Sequence, residues 1–136
     1  MQAFLMLDLD HFKEINDTMG HTKGDDVLRD VAKTLRHQFR KDYIIARLGG
    51  DEFVILLKNL DSDAVIERLA ASLNRALCRT YTQDNISLSI SASIGIARAP
   101  LDGTTFAELY PKADAALYEV KRSGKGSFHI YQPPSQ

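Results

Sequence analysis

Apolar residues fall along the chain in short continuous runs and in spaced sets, and the two periods alternate. Ala3-Phe4-Leu5-Met6-Leu7 is an unbroken apolar run that ends at Asp8-Leu9-Asp10, which predicts a strand buried on both faces with carboxylates at its C-terminal end. A short helical stretch reaches Met19, and Gly20 breaks it. Asp25-Asp26 then precede Val27, Leu28, Val31, Leu35 and Phe39 at helical spacing, which predicts a second helix running to about Arg40. Tyr43 to Leu48 and Phe53 to Leu57 are two apolar runs joined through Gly49-Gly50, the glycine pair of a tight hairpin. Asp51 and Glu52 therefore sit at its tip.

Asp61 or Ser62 can cap a third helix bearing Val65, Ile66, Leu69, Leu73 and Leu77, where Cys78 continues the apolar pattern as a small core residue. Ile86 to Ala97 alternates as a strand, and Gly95 marks a bulge or a close approach within it. Thr104 or Thr105 can cap a last helix, in which Pro111 lacks an amide hydrogen and predicts a kink or a restart before the end near Ser123-Gly124. Phe128 to Tyr131 is a final strand, and residues 132–136 form a disordered tail. Strands alternate with helices as in α/β chains, but the hairpin makes an antiparallel pair. The class is α+β, with a central mixed, mainly antiparallel sheet flanked by helices.

Composition narrows the range of functions. The 136 residues, 44% of them apolar, suit one domain with an ordinary core. With 17 basic and 18 acidic residues the net charge is −1, so no positive field exists to hold polymeric nucleic acid. The single cysteine cannot form an internal disulfide, and the sequence shows no signal peptide and no membrane-length apolar run. These features predict a soluble, cytoplasmic domain.

Three separated segments can bring acids together: Asp8 and Asp10 at the first strand end, Asp51 and Glu52 at the hairpin tip, and Asp25 at the second helix start. Each alone reads as a cap or a solvated loop residue. Converging on neighbouring strand ends, they suit magnesium, a hard cation that takes oxygen ligands and leaves part of its shell for substrate phosphates.

Gly49-Gly50-Asp51-Glu52-Phe53 spells GGDEF, preceded by Ala46-Arg47-Leu48. Upstream, Asp8-Leu9-Asp10-His11-Phe12-Lys13-Glu14-Ile15-Asn16-Asp17 is followed by Gly20-His21 and Gly24-Asp25, and downstream Ala113-Asp114, Ala116-Leu117-Tyr118 and Lys121 to Gly126 form a third block. In order and spacing the three blocks resemble the GGDEF-type diguanylate cyclases, over residues 3 to 131. The resemblance implies the nucleotidyl cyclase or polymerase palm fold with GGDEF on a hairpin. It implies condensation of two GTP into cyclic di-GMP and two pyrophosphates.

Position by position, the resemblance makes Asp8, the Leu9 carbonyl, Asp51 and Glu52 the ligands of two magnesium ions, or manganese in their place. Asp51 is also the family's candidate for activating the ribose 3′-hydroxyl, with the division of labour between it and Glu52 left open. Gly49 and Gly50 let the backbone pass close to the phosphates. Asn16 and Asp25 match the guanine-reading pair; a carboxylate accepts from N1–H and N2–H₂ of guanine, whereas adenine carries an acceptor at N1. Lys13 corresponds to a transition-state stabiliser, His21 to a substrate-site residue, and Lys121 and Lys125 to the groups that hold the terminal phosphates. Lys125 stands where arginine is frequent and gives up bidentate geometry while keeping the charge. Arg47 is either structural or a phosphate neighbour.

Two departures change the expectations. The family carries an upstream helix and a D-x-L-T-x-L-x-N-R segment that this sequence lacks, which predicts an uncovered apolar face, altered oligomerisation and weak or no activity for the fragment, with a sensory or regulatory domain N-terminal in the parent protein. The product-inhibition motif R-x-x-D reads Arg40-Lys41-Asp42-Tyr43, with tyrosine in the place of aspartate, which puts that site in doubt. The family makes its product between two facing domains, so a homodimer is expected. The rival reading is a silent GGDEF module that binds GTP or a partner protein in signalling; the intact tip favours the enzyme. A mononucleotide cyclase or a polymerase palm would share the strand arrangement, but Asn16 and Asp25 speak against both.

Overall fold

The computed structural model describes residues 1–39 and 43–134. Strand β1 (Gln2–Asp10) is followed by helices α1 (Phe12–Met19) and α2 (His21–Gln38), the hairpin strands β2 (Tyr43–Gly49) and β3 (Glu52–Leu57), and helix α3 (Asp63–Leu77). Strands β4 (Arg79–Gln83) and β5 (Ile86–Ala99), helix α4 (Phe106–Arg122) and strand β6 (Phe128–Ile130) complete the chain. The sheet order is β2-β3-β1-β5-β4, with every pair antiparallel except β6, which runs parallel to β5 at Ile94 to Ile96. The mixed, mainly antiparallel α+β class is the one the apolar pattern predicts.

The alternation along β1 places its two sets of side chains in two cores. Ala3, Leu5, Leu7 and Leu9 pack with Ile15, Val27, Val31, Leu35, Ile66 and Leu73 of α1, α2 and α3. Phe4 and Met6 pack on the opposite face with Leu109, Ala113 and Leu117 of α4. Asp8 and Asp10 continue the second row, so both carboxylates emerge on the face that α4 covers. On that same face Ile44 of β2 and Phe106 at the start of α4 are more than half exposed.

Several local expectations change. Helix α2 begins at His21, one residue after Gly20, so Asp25 lies one turn inside it and is not its cap. Ser62 caps α3 by accepting from the Val65 amide, and Cys78 ends that helix exposed, outside the core. Strand β4 was not legible, because four of its five residues, Arg79, Thr80, Thr82 and Gln83, are polar. Helix α4 runs unbroken through Pro111, with Thr105 as its cap. The proline's missing hydrogen bond would go to the Ala107 carbonyl near the helix start, and losing it there does not restart the helix. Gly95 makes a close approach and no bulge: a Cβ on it would stand 2.1 Å from the Ala113 carbonyl oxygen and 2.3 Å from the Leu117 nitrogen, so α4 lies directly on β5. At the far end of the sheet the buried Arg98 guanidinium donates to Asp63 at 2.7 Å, Asp102 at 3.2 Å and the Tyr131 carbonyl at 3.2 Å, which ties α3, the loop after β5 and the end of β6 together.

Candidate active site

The C-terminal end of β1 lies between the hairpin tip and the end of α4. Asp8 faces Glu52 across the β1–β3 ladder, and the Leu9 amide donates to the Asp51 carbonyl at 3.2 Å, so the tip is pinned to the strand end. Gly49 and Gly50 turn the chain with φ of 146° and 50°, in the region that favours glycine. Arg47 donates from Nε to the Gly50 carbonyl at 2.9 Å and so braces the tip from below.

The electrostatics centre on two carboxylates. The Asp51 pKa is pushed up from 3.8 to about 6, by burial first and then by the charge and hydrogen bond of Asp8 beside it. Asp8 Oδ1 is buried with no partner, while Oδ2 accepts from the Lys121 ammonium. Burial works against the charged form of Lys121, but Asp8, Asp51 and Glu52 outweigh it and hold the lysine above its ordinary range. A buried carboxylate oxygen without a donor, beside a second carboxylate, has the hard-oxygen chemistry that a divalent cation satisfies. Among the described residues no three His, Cys, Asp or Glu side chains gather closely enough to hold a metal by themselves. The acids form a pair, and an ammonium offsets part of their charge.

Asp10 has a different task from the one its position suggests. Its oxygens accept from the Ser91 hydroxyl at 2.6 Å, the Ser93 hydroxyl at 2.7 Å and the Gly126 amide at 2.9 Å. It anchors the loop that carries Lys125 and has little left for a cation.

A cavity of about 390 Å³ opens here, lined by Asp8, Leu9, Lys13, Asp51, Lys121 and Lys125 among others. His11, Phe12 and Glu14 also line it. His11 precedes α1 with φ of 68° and gives no side-chain cap, so the first-turn amides of α1 are left for an incoming anion. This feature was missed at the level of sequence. The available signal was that the residue before Phe12 is none of the usual capping types.

Asp25 lines a second hollow of about 420 Å³ with Leu28, Arg29, Ala32, Ile45, Arg47 and Phe53. Asn16 lies on α1, partly buried, against Gly24. Phe12, which lines the first cavity, also comes up to Gly24. His21 opens α2 in an exposed position and lines neither hollow among the described residues. Arg40, Lys41 and Asp42 lie outside the described residues.

Comparison with known proteins gives a consistent picture. The family described as "Diguanylate cyclase, GGDEF domain" matches residues 1–127. The bifunctional diguanylate cyclase/cyclic di-GMP phosphodiesterase MucR of Pseudomonas aeruginosa is 43% identical over 131 residues, which is 96% of this chain and 19% of that protein. The crystal structure of the GGDEF domain of TpbB from the same organism superposes with a TM-score of 0.88 at 40% identity, covering 98% of this chain and 83% of that one. The structure of the active GGEEF domain of a diguanylate cyclase from Vibrio cholerae gives a TM-score of 0.86 at 30% identity, covering 98% of this chain and 84% of that one. The chain thus spans less than a third of the curated relatives MucR and TpbB, at 19% and 29% of their lengths.

Proposed function

This chain belongs to the GGDEF domain family, and from that membership we propose that it is a diguanylate cyclase, joining two GTP molecules into cyclic di-GMP with release of two pyrophosphates. The observation that carries the reading is the Asp8–Asp51 carboxylate pair, one oxygen of it buried and unpartnered, set beside the uncapped start of α1.

Asp8, the Leu9 carbonyl, Asp51 and Glu52 are the groups that would hold two magnesium or manganese ions, which when bound offset the triphosphate charge and orient it. Lys121 in the last turn of α4 and Lys125 in the loop after it reach the same cavity and hold the terminal phosphates. Lys13, in the first turn of α1, adds positive charge where negative charge grows in the transition state. Gly49 and Gly50 leave the tip bare, so phosphates approach the backbone. Asp51 takes the proton of the ribose 3′-hydroxyl as that oxygen forms its bond to the α-phosphorus of the second GTP and pyrophosphate leaves. Asp25 and Asn16 read the guanine edge. His21, exposed at the start of α2, is assigned to contact with the substrate.

One cavity of this kind holds one GTP, so two chains face each other and the active unit is a homodimer. The chain spans a small part of MucR and TpbB, and a sensory or regulatory domain elsewhere in the protein then controls how the two halves meet. Among the described residues no helix is long and apolar enough to cross a membrane.

A second reading, a silent module that binds GTP or a partner protein, draws support from the Lys121–Asp8 pair, which already offsets the carboxylate charge without a cation. Incubation with GTP and Mg²⁺, followed by mass spectrometry of the nucleotides, separates the two. Cyclic di-GMP and pyrophosphate in a one-to-two ratio support the cyclase. GTP bound but unconsumed at every protein concentration sinks it in favour of the silent module.

A further inference from the structure

Gly24 sits inside α2, where glycine costs about 1 kcal/mol relative to alanine and so calls for a local reason. The reason is the neighbour on α1. A Cβ built on Gly24 would stand 1.8 Å from Asn16 Oδ1 and 2.9 Å from Asn16 Cγ, so the Asn16 amide occupies the space a side chain at position 24 would take. No hydrogen bond among the described residues ties that amide down. Contact with the bare Cα of Gly24 sets where it lies. The next residue is Asp25, which lines the hollow between α2 and the hairpin.

We propose that Gly24 is a positioning residue for base recognition: by lacking a side chain it seats Asn16 on the same turn of α2 that presents Asp25, and so sets the distance between the two groups that read guanine. The proposal rests on the guanine-reading assignment of Asn16 and deepens it. The atom in the way of a methyl at position 24 is the far end of a side chain, which can swing aside, and the next nearest, Phe12 Cζ, is at an ordinary 3.4 Å. Alanine at position 24 is therefore accommodated by moving Asn16 and leaving the helices in place. A glycine kept only for packing would behave in the opposite way, losing stability on substitution with base preference intact.

The experiment measures thermal midpoint together with GTP and ATP affinities by calorimetric titration, for the wild type, Asn16→Ala, Gly24→Ala and the double variant. Gly24→Ala is expected to melt at or above the wild-type temperature and to lose about tenfold of the GTP-over-ATP preference, the worth of one hydrogen bond. Asn16→Ala should lose the same amount, and the double variant no more than either. A Gly24→Ala preference within twofold of wild type, or losses that multiply in the double variant, overturns the proposal and leaves the assignment of Asn16 standing. An unchanged preference in Asn16→Ala removes that assignment, and the proposal with it. If Gly24→Ala melts lower, the double variant, which has room for the methyl, should recover the wild-type midpoint; failure to recover would place the clash elsewhere and also overturn the proposal.

Discussion

Lys121, in the last turn of α4, donates its ammonium to Asp8 Oδ2 at the end of β1, across 113 residues of sequence. On the proposed function, cation and nucleotide would meet a site whose first carboxylate is already engaged. A bound triphosphate would give the same ammonium a stronger anion to turn to, and would release Asp8. Replacing Lys121 by Met should tighten Mn²⁺ binding to the nucleotide-free protein by about fivefold, the scale of a partly exposed ion pair, while weakening GTP binding. Titration of the metal alone checks this, and equal or weaker metal affinity in the variant would count against the competition.

Asp51 carries a cost that depends on pH. Its pKa rises from 3.8 to about 6 on folding, by burial and by the neighbouring Asp8. Between those values the folded chain keeps a proton that the unfolded chain has released, so stability falls as pH rises through this window, and the loss is complete above it. Asp51→Asn should therefore stabilise the metal-free protein at neutral pH, by ~1 kcal/mol once the partial exposure of the group is allowed for, with no difference below the unfolded-state value. Urea unfolding at several pH values in chelator tests it. A variant less stable than wild type at neutral pH would contradict the repulsion.

Asp8→Asn and Glu52→Gln should each abolish cyclic di-GMP formation while unfolding near the wild-type midpoint, because neither side chain belongs to either apolar core. Turnover within a few-fold of wild type in either variant would remove that residue from the metal site.

Asp25→Ala should cost GTP affinity by ~1–3 kcal/mol through unpaired guanine donors and narrow the preference over ATP. Asp25 is exposed on α2, so the fold should not suffer. The ratio of the two affinities is the readout, and an unchanged ratio argues against base reading by this carboxylate.

Gly95→Ala tests the packing of α4 on β5. The methyl would meet backbone atoms of Ala113 and Leu117, which cannot swing aside as a side chain can, so destabilisation of about 3 kcal/mol is expected. The contrast with Gly24→Ala is the informative part, since one glycine faces backbone and the other a movable amide. Denaturant midpoints of the two variants should shift by very different amounts.

Periodicity along the chain determined most of the elements by itself. The run from Ala3 to Leu7, the glycine pair at the hairpin and the cap at Ser62 are local signals, set by side-chain alternation and by φ preferences that neighbouring residues decide among themselves. The three motif blocks likewise made the family and the candidate residues legible. Local signals failed where the decision was not local. Strand β4 is a half-exposed edge whose place is decided by pairing with β5, and the reason for a glycine at position 24 appears only when Asn16 is seen against it. The apolar pattern treats Asp8 and Asp10 alike, two residues apart on one strand face, and only the family resemblance singles out Asp8. Only the tertiary structure made one a member of a carboxylate pair opposite Lys121 and the other an anchor for Gly126. The reason is the placement of β1 between β3 and β5: strand order and register choose each carboxylate's neighbours, and those neighbours come from parts of the chain more than 40 residues away, as with Asp51, or more than 80, as with Ser91 and Ser93.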